Sequence, residues 1–192
     1  MSKIGDLLFV RKHHVCPRWL CFTFDNWVRK RLQNPDQIIK DYIRQGDTVL
    51  DVGPGIGFFT IPMARLVGDN GQVVAVDIQE EMLAAISRRA IHAGVANRVR
   101  LQLASPDSLN VTDRADFVLA FWMAHEVPDQ AGFFAQLYAV LKDDGKFLLA
   151  EPKLHVSKAQ FDAELDYAQK AGFKLLTRPA VPMSLAVVLV KQ

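Results

Sequence analysis

The stretch Thr48–Gly57, TVLDVGPGIG, decides how this chain folds. Thr48 to Val52 is a short apolar run rich in β-branched residues, which reads as a strand. The glycines at 53, 55 and 57 then permit a sharp turn and let a ligand approach the backbone closely. Phe58–Leu66 returns to a helical pattern. A strand that passes through a glycine-rich turn into a helix is the opening unit of a parallel α/β sheet, whose ligands sit beyond the C-terminal strand ends. The next strand, Val73–Val76, ends at Asp77, 20 residues after Gly57. An acid at that place can accept hydrogen bonds from both hydroxyls of a ribose.

The same alternation runs outward on both sides. Before the first strand, Asn34-Pro35 predicts a capped helix start, with the helix running to about Arg44 and Gln45-Gly46-Asp47 stopping it. After the second strand, Glu80–Ala93 is a predicted helix with Met82, Leu83, Ile86 and Ala90 on one face, and Val99–Leu103 a strand. Asp116–Phe121 is apolar almost throughout, as expected of a strand covered on both faces. Ala131–Leu141 is a helix closed by Asp143-Asp144-Gly145, and Lys146–Ala150 a strand. Ser157–Ala171 is a helix ended by Gly172, and Phe173–Thr177 and Leu185–Val190 are the last strands. Alternating strands and helices imply right-handed crossovers, a mostly parallel sheet and helices on both faces. Only Arg178–Ser184 separates the last two strands, too little for a helical crossover, so that pair is predicted to be an antiparallel hairpin. The total is seven strands.

Composition bounds the rest. A chain of 192 residues, half of them hydrophobic and 23% charged, is one domain with a full core and no need of metal or disulfide staples. The longest apolar stretches, Val52–Ala64 and Pro179–Val190, are too short for a membrane helix and are broken by Gly or Pro. With two cysteines and no signal-peptide pattern, a cytoplasmic protein without membrane insertion is expected. A net charge of +2 speaks against a dedicated nucleic-acid binder. That charge is uneven: residues 1–44 hold nine Lys/Arg against four Asp/Glu, and the remainder 14 against 17. The basic front is read as a solvated surface, or as an attractor of an anionic substrate or partner.

The glycine spacing narrows the ligand. A dinucleotide fingerprint with glycines at 53 and 55 would place its third at 58, which here is Phe58. Asp51, two residues before the first glycine, suits a cationic amino group better than a pyrophosphate. The run D-x-G-x-G-x-G at 51–57, Val76-Asp77-Ile78 at the second strand and the terminal hairpin together resemble the class I S-adenosylmethionine-dependent methyltransferases. The likeness covers about residues 35–192 and is nearest to the small stand-alone branch that is similar to ubiquinone/menaquinone methylases. It implies a Rossmann-like sheet and S-adenosyl-L-methionine as cofactor. It further implies that the loop of Gly53, Gly55 and Gly57 wraps the methionine part, Asp51 orders the amino group, Asp77 holds the ribose and Ile78 covers the adenine. Many relatives end the third strand in Gly-Asp. Here the segment is Leu103-Ala-Ser-Pro-Asp107, with Ser105 in that place and Asp107 as the alternative adenine partner. Phe121 is the candidate for lining the cofactor pocket from the fourth strand.

Transfer of a sulfonium methyl is an in-line displacement, so positioning supplies much of the acceleration and a base is needed only for a protonated acceptor. After the fourth strand, His125 is the candidate base or substrate contact, with Glu126 orienting it; the alternative is an ordinary helix start. His155, just after the fifth strand, is a candidate substrate contact. Residues 1–34 form a separate substrate segment or lid, in which Phe22, Phe24 and Asn26 are the candidate contacts. Cys16 and Cys21 with His14 could hold a thiophilic metal, but their spacing is no zinc signature and no metal is expected. The expected function is therefore methyl transfer to a small-molecule acceptor. The alternatives are a nicotinamide-dependent oxidoreductase and a non-catalytic cofactor-binding or thiol-metal sensor. The motifs say nothing of oligomeric state.

Overall fold

In the computed structural model, residues 33–192 are described. The elements are α1 (Pro35–Ile39), β1 (Thr48–Val52), α2 (Thr60–Leu66), β2 (Gln72–Asp77), α3 (Glu80–His92), β3 (Val99–Leu103), β4 (Ala115–Phe121), α4 (Gln130–Val140), β5 (Leu141–Pro152), α5 (Lys158–Lys170), β6 (Phe173–Thr177) and β7 (Ser184–Lys191). The strands form one sheet in the order β3-β2-β1-β4-β5-β7-β6. Every pairing from β3 to β5 is parallel, and β7 runs antiparallel to both its neighbours. The short terminal connection therefore forces the reversal that its length predicts.

Side chains alternate across the pleat, so each central strand feeds two cores. Leu50, Val52, Val118, Ala120 and Phe147 pack with Phe134, Leu137, Phe161 and Leu165 of α4 and α5. Val49, Val73, Phe117, Leu119 and Leu148 face the other way, onto Ile39, Ile61 and Met63 of α1 and α2. Helices thus cover both faces. Asp51 shares the parity of Val49, which turns its carboxylate toward α2.

Three elements differ from the sequence expectation by more than one residue at an end. Helix α1 stops at Ile39, not near Arg44, because Tyr42 leaves the helix to stack on Phe117 at 5.6 Å and Ile43 enters the core. Helix α2 begins at Thr60, not Phe58; the two phenylalanines stay in the turn, buried and edge-on at 5.1 Å. Strand β5 starts at Leu141 and includes Asp143-Asp144-Gly145, which sequence reads as a stop. Leu141 pairs with Ala115 and Lys146 with Phe117, so residues 142–145 stand opposite Asp116 alone and bulge outward. Lys142 Nζ lies 2.7 Å from the Asp116 carboxylate and holds that bulge. Among the described residues, no helix is long and apolar enough to cross a membrane.

Candidate active site

Strand order reverses beside β1: one crossover leads to β2 on one side, and the chain later returns to β4 on the other. A cavity of about 780 Å³ opens there, beyond the C-terminal ends of β1, β2 and β4. Its floor is Asp51–Ile56 with Phe58 and Phe59. Gly53, Gly55 and Gly57 all hold positive φ, at 63°, 55° and 88°. At Gly53 a Cβ would lie 2.8 Å from Met123 Cγ, so the missing side chain is what allows β4's exit to pack on the loop. At Gly55 a Cβ would meet nothing within 4 Å, leaving backbone bare at the cavity wall. Gly57 does not line the cavity; its bare Cα faces Ile86 of α3.

Two carboxylates stand in this floor. Asp51 is buried and its Oδ2 accepts from Thr60 Oγ1 at 2.6 Å. Burial raises its pKa to about 7, helped by the charge of Asp77 and opposed by the Thr60 hydrogen bond. Asp77 is also buried, and its Oδ1 accepts from the Gln79 amide at 2.9 Å. Burial again dominates and lifts it to about 6, against the backbone donors of Gln79, Ile78 and Gly55. Ile78, beside Asp77, is 46% exposed and presents an apolar edge to the cavity.

Ser105 and Asp107 line the same cavity, on a tight turn closed by Ser105 N to Ser108 O at 2.8 Å. Gln136 of α4 clamps that turn through Leu109 N (2.9 Å) and Asp107 O (3.1 Å). Phe121, at the end of β4, packs on Phe59 at 4.5 Å and forms the back wall. Trp122 follows with φ of 63°, rare for a bulky side chain, held by Nε1 donating to Ser184 Oγ at 2.8 Å. His155 is exposed at the rim with Leu154 and Met183.

His125 and Glu126 also line the cavity, but Glu126 is not the carboxylate bonded to the imidazole. His125 Nδ1 lies 2.5 Å from Glu151 Oε2, and the backbone amide of His125 donates to Glu151 Oε1 at 3.3 Å. Pairing of β4 with β5 brings this strand-end carboxylate into reach, whereas Glu126 follows His125 in the same 3₁₀ turn. Burial depresses the His125 pKa, yet the hydrogen bond and charge of Glu151, with Glu126 and Glu164 adding to it, leave it raised. The sequence carried a signal for both missed residues. Glu151 is the acid that ends the apolar run Phe147–Ala150, and Glu164 shares the helical stripe of Phe161, Leu165 and Ala168. Residues 1–32 lie outside the described residues, and with them Phe22, Phe24, Asn26, Cys16, Cys21 and His14.

Comparison with known proteins fits this geometry. Residues 43–178 match the methyltransferase domain family. The chain belongs to that family. The cofactor of that family is S-adenosyl-L-methionine, and the cavity has features that fit such a molecule: two buried carboxylates, bare glycine backbone beside them and an apolar edge at Ile78. A ubiquinone/menaquinone biosynthesis C-methyltransferase, UbiE, of Marinomonas sp. (strain MWYL1) is 31% identical over 147 residues, 76% of this chain and 57% of its own. The namesake of Escherichia coli K12 is 34% identical over 110 residues, 57% of this chain and 44% of its own. The chain thus spans about half the length of these curated relatives. In fold it is similar to a SAM-dependent methyltransferase from Aquifex aeolicus, with a TM-score of 0.79 at 23% identity over 90% of this chain and 97% of that one. A TehB-like SAM-dependent methyltransferase from Corynebacterium glutamicum gives 0.70 at 14% identity, covering 92% and 100%.

Proposed function

We propose that this protein transfers the methyl group of S-adenosyl-L-methionine to a small-molecule acceptor in the cytoplasm. One observation carries the reading: Asp51 and Asp77 are two buried carboxylates at adjacent strand ends, both with raised pKa, on a cavity whose other walls are largely apolar. A cationic ligand relieves that arrangement, and an anionic pyrophosphate aggravates it. Phe58, packed where close helix contact in a dinucleotide site needs glycine, argues the same way against a nicotinamide cofactor.

The residues divide the work. Asp51 holds the amino group, Asp77 the ribose, the backbone of Gly53–Gly55 the methionine part, and Ile78 with the Ser105 turn the adenine. When bound, the cofactor supplies an electrophilic methyl; the chain supplies position and exclusion of water. Phe121, Trp122 and Met123 support the methyl-bearing end, and His125 and His155 face the acceptor. Residues 1–34 complete the proposal as a substrate segment, with Phe22, Phe24 and Asn26 as acceptor contacts.

Calorimetry with S-adenosylhomocysteine and with NAD tests the cofactor half. Asp77→Ala and Gly55→Val are each expected to remove most of the affinity for S-adenosylhomocysteine, with no NAD binding in the parent protein. Unchanged affinity in both variants would sink the assignment. A labelled-methyl screen over small acceptors and cell extract identifies the other substrate; binding without transfer to any acceptor would favour a sensor.

A further inference from the structure

The turn that leaves β3 is short and exposed, yet it forms a wall of the cavity. Ser105, Pro106 and Asp107 are all exposed and all line it. Several of the turn's hydrogen bonds are local. Ser105 N donates to Ser108 O at 2.8 Å, and Ser108 N donates back to Ser105 O at 3.2 Å. Asn110, with φ of 53°, donates its amide to Ser108 Oγ at 3.1 Å and its Nδ2 to Leu103 O at 3.2 Å. A turn held by local bonds alone opens at little cost and presents no fixed surface to a ligand.

Gln136 adds a tie from a distant element. Its Oε1 accepts from Leu109 N at 2.9 Å and its Nε2 donates to Asp107 O at 3.1 Å. Both ends of one amide are used, so the side chain grips the backbone on either side of Ser108 in a single orientation. Asp129, Phe133 and Gln136 follow one another at helical spacing along α4 and its cap, and all three line the cavity. Phe134 and Leu137, beside that stripe, are fully buried and fix which way it faces. The core of the molecule thus sets the place of the turn, through α4 and then through Gln136.

The turn also stands next to the residue proposed for the ribose. Ala104 N donates to Asp77 O at 3.0 Å, and Ile78 follows with its apolar edge exposed. A base attached to a ribose at Asp77 therefore reaches Ser105–Ser108. Resting on the cofactor reading above, we infer that Gln136 is a specificity-determining residue for the cofactor's base. By gripping the backbone of Asp107 and Leu109 it holds the Asp107 carboxylate where that group accepts from the exocyclic amino group of adenine. Gln136 is a positioning residue, acting through Asp107. The Ser105 hydroxyl is already turned to Ser108 O, at 3.4 Å, and serves the turn itself. A base with an oxygen in place of the amino group meets the carboxylate acceptor to acceptor, and a site built to take a donor there rejects it. If the turn is loosened, the carboxylate loses its place and that rejection goes with it.

Calorimetry with S-adenosylhomocysteine, and with its analogue carrying hypoxanthine in place of adenine, reads this as the ratio of two affinities. The parent is expected to prefer adenine by about tenfold or more, the range of a hydrogen bond to a charged group. Gln136→Met keeps the length of the side chain, removes both hydrogen bonds and is expected to abolish most of that preference. Asp107→Ala, at an exposed turn position, is expected to do the same. The double variant should lose no more than either single one, because one residue acts through the other. Gln130, on the same helix, supplies the control: its Nε2 donates to Ala124 O and Val127 O in the turn after β4, so Gln130→Met is expected to keep the ratio. A parent ratio near one, an unmoved ratio in Gln136→Met or Asp107→Ala, or additive losses in the double variant would overturn the inference. So would an equal loss in Gln130→Met, which would assign the effect to the seating of α4 as a whole. A parent that does not bind S-adenosylhomocysteine overturns the cofactor reading as well, whereas binding with an unmoved ratio overturns the role of Gln136 alone.

Discussion

Asp51 and Asp77 carry the sharpest consequence for single residues. Both are raised in the folded protein, to about 7 and about 6, so near pH 6 much of the population holds protons that a cationic ligand must expel. Cofactor binding therefore releases protons, and affinity is expected to fall as pH drops from about 8 to about 5.5. Asp51→Asn is expected to weaken S-adenosyl-L-methionine binding at pH 8 by roughly 1.5–3 kcal/mol, about ten- to a hundredfold, the range of a hydrogen bond to a charged group. It is also expected to flatten the pH dependence, since the group that titrates last is gone. Calorimetry at both pH values reads both effects; a variant that keeps the parent's pH slope would show that Asp51 does not meet the ligand's cation. At this scale Asp51, Asp77 and His125 were legible because each is a polar residue at the end of an apolar strand. That Glu151 grips His125 was not, because the two lie 26 residues apart and only strand pairing brings them together.

Among the elements, α5 best shows a local signal surviving into the fold. Ser157 and Gln160 form a reciprocal capping box, the hydroxyl accepting from the Gln160 amide while the Gln160 side chain accepts from the Ser157 amide. Ser157→Ala is expected to cost about 1 kcal/mol and to lower Tm by about 2–4 °C. Because neither Ser157 nor Gln160 lines the cavity, S-adenosylhomocysteine affinity should not change; a loss of affinity would mean that α5 seats the site as well as the core. The strands, their order of appearance and the terminal hairpin were readable for the same reason as this cap, since period, turn residues and connection length are local facts. The ends of α1, α2 and β5 were not. Tyr42 is drawn off by Phe117, Thr60 is committed to Asp51, and the bulge at 142–145 is held by Lys142 on Asp116, each a partner distant in sequence.

Summed over the molecule, these buried groups set how stability responds to pH. For Asp51, Asp77 and Glu164 the folded values lie above those of ordinary carboxyls, so the native state keeps protons that the unfolded chain gives up. Where the native state binds more protons, stability falls as pH rises. For each acid the loss begins near its unfolded value, about 4, and is complete once pH passes its folded value. His125, also raised, acts in the same direction: its contribution is full below the ordinary histidine value and is lost as pH rises through its folded one. The cofactor-free protein is therefore expected to melt at a lower temperature at pH 8.5 than at pH 5.5, values chosen to bracket the folded midpoints on linkage grounds. Glu164→Gln removes one of the four contributions and should make the decline shallower. S-adenosyl-L-methionine, by meeting Asp51 and Asp77 with positive charge, should raise Tm more at the higher pH than at the lower. Thermal scans of both proteins with and without ligand separate the terms. An identical slope in Glu164→Gln would place that carboxyl in contact with water, and a ligand shift independent of pH would mean that neither aspartate changes its proton on binding.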